Sequence, residues 1–251
     1  MEFHKGSTGR FFFGFSIQAP WAQKEPQGRA VPIPFRHMTT DFLGNRDRKE
    51  IELLIPQISF PSFFLTGILK ELIFLPFDSP RTVSTTCQFF TGEKNLYEFV
   101  KKEFLPHTTL CRSPFDKKGW VTSFKPLPFF SQQFALFETV GSLQYEIKHS
   151  WPLLIPFSPI DHPAGLCFKI QAFSYEELYY HAAIALSFSF PTAVSFIQLA
   201  TPQDFDSVLD ELNKLIARLD SEHGSPFKSV SVHGEAFFNG PILTWEMIVQ
   251  G

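Results

Sequence analysis

The chain has 251 residues, of which 44% are hydrophobic and 19% charged, and its formal net charge is −3. This composition is typical of a globular protein and excludes a disordered or fibrous chain. The slightly acidic balance argues against a broad basic surface for duplex nucleic acid.

The cysteines and the lengths of the apolar runs indicate the cellular compartment. Cys87, Cys111 and Cys167 are far apart and lack CxxC spacing, so they predict neither a disulfide framework nor a zinc site. Apolar runs are interrupted well before the length of a membrane helix, and the N-terminus lacks the order of a secretory signal. We expect a soluble, cytoplasmic protein. The 32 phenylalanines mostly alternate as in strands, which favours an aromatic core over a base-stacking surface.

The first half of the chain predicts mainly strands. Residues 1–9 are interpreted as a polar leader outside the fold. Strands are predicted at 10–21, 33–43, 64–77, 82–90, 104–112, 132–140 and 145–153. Two amphipathic helices are predicted, at 45–56 and on the surface at 92–103. The stretch "SPFDKKGW", residues 113–120, is predicted to be a proline-rich loop.

Prolines mark a boundary between two domains. Four of them occur in "WPLLIPFSPIDHP", residues 151–163, and we place the boundary near residue 156. A strand at 164–173 then precedes a helix whose capping box is Ser174 and Glu177. A second helix carries an apolar stripe from Phe205 to Leu219, and strands at 227–234 and 242–249 close the chain.

A short motif occurs twice in the first half. "FRHMTTDFLG" contains His37 and Thr39, and "PHTTLCR" contains His107 and Thr109. Residues i and i+2 of a strand face the same way, so each motif presents an imidazole beside a hydroxyl. Two such strands around one cleft would suit phosphate ester cleavage, with one imidazole as base, the other as acid, and hydroxyls on the phosphoryl oxygens. A single motif would more often be an ordinary strand histidine beside a threonine.

These motifs resemble those of the 2H phosphoesterases, in particular the RNA 2′,3′-cyclic phosphodiesterases once named 2′-5′ RNA ligases. The resemblance covers about residues 10–155 and implies an α+β domain of two pseudo-symmetric lobes around a central cleft. It implies that His37 is the general acid and His107 the general base, or the reverse. Thr39 and Thr109 would bind the phosphoryl oxygens. Arg112 could add positive charge, or be a solvated arginine after a strand.

The second half, residues 156–251, is similar to archease, a small α+β protein that assists an RNA ligase. The similarity implies a degenerate metal site, because Gly165 stands where archease has an acidic ligand. Asp161 and His162 alone rarely make a metal site. No cofactor and no catalytic metal are expected in either half.

Two classes of function remain open. The first is an enzyme that opens terminal 2′,3′-cyclic phosphates on RNA ends or short oligonucleotides, or that acts on another 2′-5′-linked or cyclic nucleotide. The second is an accessory protein that docks on an RNA ligase through the archease-like half. No membrane partner is expected.

Overall fold

A computed structural model describes residues 8–100, 104–163, 165–232 and 236–251. The first part of the chain contains β1 (Thr8–Ser16), β2 (Gly28–Ala30), β3 (His37–Asp47), α1 (Arg48–Leu54), β4 (Thr66–Leu75), β5 (Thr82–Thr91), α2 (Glu93–Val100), β6 (His107–Phe115), α3 (Lys117–Ser123), β7 (Leu127–Phe130), β8 (Gln133–Gly141) and β9 (Gln144–Pro152). The second part contains β10 (Phe157–Ile160), β11 (Cys167–Ala172), α4 (Tyr175–Ser189), α5 (Phe205–His223), β12 (Ser229–Val232), β13 (Phe237–Asn239) and β14 (Ile242–Gln250).

The described strands form two antiparallel sheets. Because the chain also contains the helices α1 to α5, the fold is mixed α and β. The larger has the order β7-β4-β5-β6-β3-β1-β8-β9, with β2 paired to β6. The smaller has the order β10-β11-β14-β12, with β13 paired to β14. Because β3 and β6 meet in the middle of the larger sheet, the two repeated motifs lie on neighbouring strands.

Three of the predictions for the first half were wrong in their bounds or type. Strand β1 begins at Thr8, so residues 8 and 9 of the predicted leader belong to the fold, and residues 1–7 lie outside the described residues. Residues 33–35 form a 3₁₀ turn, preceded by Pro32 and containing Pro34, instead of strand, and β3 starts at His37. The predicted loop at 113–120 is the end of β6 followed by α3, whose first turn is capped by the Asp116 carboxylate.

Other bounds are close to those predicted. The surface helix ends its described part at Val100, and residues 101–103 of the prediction lie outside the described residues. The strand predicted from residue 164 begins at Cys167, and the one predicted at 227–234 is described as Ser229–Val232. The sequence analysis missed four short strands, β2, β7, β10 and β13.

The two faces of the larger sheet are occupied differently. On β1, the side chains of Phe11, Phe13 and Phe15 enter a core that also contains Leu96 of α2. Phe12 points to the opposite face, into a small cluster with Tyr145 and other aromatic residues. This alternation follows from the two-residue period of a strand. It leaves one face covered by helix and the other partly open.

The second half packs against the first through α4. Ten consecutive residues of this helix, from Leu178 to Ser187, are buried. Their core includes Ile68 of β4 and Phe130 of β7 as well as residues of the smaller sheet. The boundary predicted near residue 156 lies between β9 and β10, and the division into two domains stays a prediction.

The predicted cap and apolar stripe of the two long helices are confirmed. The Ser174 hydroxyl accepts a hydrogen bond from the Glu177 amide at 3.2 Å, and the Glu177 carboxylate accepts one from the Phe173 amide at 2.8 Å. On α5, the buried residues run from Val208 to Leu219 at helical spacing. None of the described helices is long and apolar enough to span a membrane.

Candidate active site

The two His-x-Thr motifs meet across the β3–β6 pair. Met38 lies opposite Thr108 in the antiparallel register, which places His37 across from Thr109 and Thr39 across from His107. Met38 and Thr108 are fully buried on the other face. The four motif side chains therefore share one face, and together with Arg112 they line a cleft of about 290 Å³. All five predicted site residues are thus brought together.

Each imidazole is oriented by its own strand entry. His37 Nδ1 donates to the Phe35 carbonyl oxygen at 2.6 Å, and His107 Nδ1 donates to the Leu105 carbonyl oxygen at 2.8 Å. A carbonyl oxygen can only accept, so Nδ1 carries the hydrogen in both rings. The proton that each ring gains or loses therefore resides on Nε2. This is the arrangement that acid–base catalysis requires.

The surroundings of the two histidines differ. The His37 ring lies 4.7 Å from the Phe12 ring, 5.1 Å from Phe137 and 5.1 Å from Tyr145, measured between centroids. Burial among these rings, reinforced by the positive charges of Arg112 and His107, lowers the pKa of His37 from 6.5 to about 4, against the opposing effect of the Phe35 carbonyl. His37 is therefore neutral at pH 7.

Arg112 reaches the cleft because β6 contains a bulge. Ser84 of β5 lies opposite Thr109, whereas the preceding Val83 lies opposite Cys111, so Leu110 is one residue in excess. An extra residue reverses which later side chains face the cleft. The Arg112 guanidinium lines the cleft and donates to the Tyr145 hydroxyl at 3.2 Å, while the residue stays exposed. Its role in binding stays a prediction.

The cleft is suited to an anion. Besides the five predicted residues, its lining includes Arg10, Thr139, Ser142 and Tyr145, and none of the described lining residues is acidic. The Thr109 hydroxyl lies 3.3 Å from the Ser84 hydroxyl, which restrains its direction. Positive charge and hydroxyl groups in a half-enclosed site attract and orient a phosphoryl group.

Several of these lining residues escaped the sequence analysis. Arg10 comes to the cleft because β1 runs beside β3, where it lies opposite Asn45. Phe42, whose ring is 68% exposed, stands at the cleft edge. Arg10 and Tyr145 carry no local spacing that marks them, since strand pairing alone brings them here. Phe42 lies three residues after Thr39, in the stretch quoted for the first motif, and this position was the available signal.

The second half of the chain was predicted to carry a degenerate metal site. Among the residues that the structure describes, no three histidine, cysteine, aspartate or glutamate side chains lie together as a set of ligands would. Asp161 and His162 lie between β10 and β11. In the sequence they follow the predicted boundary near residue 156, whereas all cleft residues precede it.

The chain was compared with known proteins. No protein-family model matches it, and no curated protein matches it significantly. Among solved structures it is similar to LigT of Escherichia coli in complex with 3′-AMP, with a TM-score of 0.43 and 19% identity over 59% of this chain and 99% of that one. The complex of LigT with NADP⁺ has a TM-score of 0.42 and 21% identity, again over 59% of this chain and 99% of that one. A Thermus thermophilus protein has a TM-score of 0.41 and 18% identity over 57% of this chain and 97% of that one. Likeness at this level concerns the fold and carries no inference about the reaction.

Proposed function

We propose that the protein is a phosphoesterase of the two-histidine type, and specifically an RNA 2′,3′-cyclic phosphodiesterase. The observation that carries the proposal is the paired geometry of His37 and His107. Both rings lie on adjacent strands of one cleft, both have Nδ1 fixed by a backbone carbonyl, and both leave Nε2 for proton transfer. Such a pair can serve the attacking and leaving oxygens of one phosphorus.

The lowered pKa of His37 indicates which ring is the general base and which is the general acid. A neutral imidazole accepts a proton, so we propose His37 as the general base and His107 as the general acid, the reverse of the assignment favoured by the sequence. His37 Nε2 takes a proton from water as the water oxygen bonds to phosphorus. The bond from phosphorus to the ribose O3′ breaks, and His107 Nε2 delivers its proton to that oxygen. The product is a 2′-phosphate with a free 3′-hydroxyl.

The remaining cleft residues would stabilise the transition state. The hydroxyls of Thr39 and Thr109 flank the imidazoles and would donate to the two non-bridging oxygens, where negative charge develops. Arg112, held by Tyr145, adds a charge-assisted donor. These groups supply acid, base and positive charge, so the proposed reaction uses no metal cofactor.

A nucleotide fits this cleft better than a simple phosphate ester. The exposed ring of Phe42 lies at the edge of the cleft, 5.9 Å from the Phe12 ring between centroids. Stacking on an aromatic ring contributes about 1–3 kcal/mol per base in nucleic-acid binding and tolerates all four bases. This favours a ligand with a flat base next to its phosphate.

The test is hydrolysis of a short RNA ending in a 2′,3′-cyclic phosphate, with and without EDTA. The products are identified as 2′- or 3′-phosphates. We expect a 2′-phosphate, EDTA resistance, and a loss of kcat/KM of about 10²-fold or more in His37→Ala and in His107→Ala. His149→Ala, a change outside the cleft, is the matched control. Parental turnover in both cleft variants would refute the proposal. Cyclic mononucleotides and 2′-5′-linked dinucleotides in the same panel decide between the related substrates.

The second half is proposed to be archease-like in fold and inactive as a metal protein. The rival function, an accessory role in RNA ligation through this half, predicts that the protein stimulates an RNA ligase even when both cleft histidines are replaced. A ligation assay with the His37→Ala/His107→Ala double variant separates the two functions, because the enzyme hypothesis predicts no stimulation.

A further inference from the structure

A second arginine stands beside Arg112 at the rim of the cleft. Strand β2 pairs with the end of β6, and in this pairing Arg29 lies directly opposite Arg112. Residues opposite each other on antiparallel strands point to the same face. Two guanidinium groups thus emerge side by side next to the site.

Both arginines are held by neutral groups. Arg29 Nη2 donates to the hydroxyl of Ser142, which lines the cleft, and its Nη1 donates to the Ser113 carbonyl oxygen at 3.4 Å. Arg112 donates to the Tyr145 hydroxyl. Within the described part of the chain, no carboxylate forms an ion pair with either residue. Like charges opposite each other destabilise a sheet, and no described carboxylate pairs with either guanidinium to offset this repulsion.

The position of Arg29 relative to the catalytic pair is informative. Arg112 is three residues beyond Thr109 on β6, with one bulged residue between them, which corresponds to about 7–10 Å along the strand. Arg29 is on the next strand at that level. This offset is comparable with the distance from one phosphate to the next along an extended nucleotide chain. Arg112 is among the residues that line the cleft, whereas Arg29 is held at the rim by its hydrogen bond to Ser142. We therefore expect Arg29 to contact a group beyond the phosphorus that lies between the imidazoles.

We propose that Arg29, beside Arg112, forms a second anion subsite that binds the phosphodiester linkage preceding the terminal nucleotide. The substrate is then a chain of at least two nucleotides, and a lone cyclic mononucleotide leaves the subsite empty. A planar guanidinium with two donors suits a phosphodiester, which presents two non-bridging oxygens and a single negative charge. The inference rests on the proposed function for its account of the neighbouring phosphate.

The experiment compares three ligands. The first is a nucleoside 2′,3′-cyclic phosphate, the second a dinucleotide that ends in the same group, and the third that dinucleotide with a neutral methylphosphonate at the internal linkage. We expect kcat/KM of the parent protein to be about tenfold or more higher for the second ligand than for the other two. Arg29→Ala should lower the ratio of the second to the first by about tenfold.

Lys94→Ala is the control for charge. Its side chain is 87% exposed on α2, which covers the opposite face of the sheet, and we expect the ratio to stay as in the parent. The subsite is overturned if the parent protein has nearly the same kcat/KM for the dinucleotide and the mononucleotide. It is also overturned if Arg29→Ala leaves the ratio of these two values unchanged.

Equilibrium binding separates this inference from the proposed function. The dinucleotide with a terminal 2′-phosphate is titrated into the parent and the Arg29→Ala variant. If turnover is absent, the proposed function fails. In that case the subsite is still supported if the variant binds the charged dinucleotide roughly tenfold more weakly than the parent does, and if parent and variant bind the methylphosphonate analogue equally. Equal binding of the charged dinucleotide by parent and variant overturns the subsite.

Discussion

The buried histidine of α4 makes the stability of the protein depend on pH. His181 is fully buried. Its Nδ1 donates to the Gln171 carbonyl oxygen at 2.5 Å, and its Nε2 lies 3.1 Å from the Thr91 hydroxyl, which in turn lies 2.9 Å from that of Thr66. This chain of hydrogen bonds joins α4 to β5 and β4 of the larger sheet. The Phe64 ring, 4.8 Å away, closes the site.

The expected magnitude follows from the pKa. Burial lowers the pKa of His181 from 6.5 to about 4, against a smaller opposing effect of the Gln171 carbonyl. The unfolded chain therefore binds a proton as pH falls below 6.5, while the folded protein does so only near 4. Stability is lost across this window, by about 3 kcal/mol at about 1.36 kcal/mol per pH unit.

The perturbation is His181→Phe, which removes the titrating group and retains a ring. At pH 7 the variant leaves the Gln171 carbonyl without its donor, so we expect its free energy of unfolding to be lower than that of the parent by about 1–3 kcal/mol. Near pH 4.5 the parent has lost most of the histidine contribution and the variant has not. The difference should then shrink to about zero or change sign.

The assay is urea denaturation of both proteins at pH 7 and pH 4.5. Thr91→Val is the matched control, because it removes the hydroxyl partner of His181 and keeps the imidazole. It should destabilise at pH 7 and retain the acid-dependent loss. A stability difference between the parent and His181→Phe that is the same at both pH values would refute the reasoning.

Two further predictions concern the cleft and the first turn of α4. Because the pKa of His37 is lowered to about 4, a role as base predicts that the acid limb of kcat/KM against pH falls near that value and not near 6.5; a role as acid predicts a rise as pH falls toward 4. Ser174→Ala removes the cap on the Glu177 amide, and we expect a loss of about 1 kcal/mol and a fall in Tm of roughly 2–4 °C by calorimetry. An unchanged melting curve would contradict the role of the cap.

The elements that follow from local pattern were predictable. The stripe on α5, the cap at Ser174 and the alternating strands β1 and β8 are set by spacing within one segment. The sequence also indicated that His37 and Thr39 share a face, because that relation needs only the two-residue period of a strand.

Features that depend on pairing between segments were beyond this reasoning. Nothing in "PHTTLCR" marks Leu110 as a bulged residue, because a bulge is defined by the partner strand. Without it Arg112 would face away from the cleft. Pro114 led to the prediction of a loop, yet β6 extends past it to Phe115, which pairs with Gly28 of the short β2. Prolines are tolerated where a strand nears the edge of its sheet.

The two histidine motifs illustrate this limit at the site itself. Both read His-x-Thr, and both rings make the same hydrogen bond to a carbonyl two residues earlier, so the local sequence predicts two equivalent groups. The asymmetry comes from β1 and β8, which place Phe12 and Phe137 against His37, whereas the described residues make no such ring contact with His107. Desolvation by these rings makes the neutral form of His37 the stable one. The base of an acid–base pair must be neutral at the working pH, and here the larger sheet gives His37 that property, which the motif alone does not.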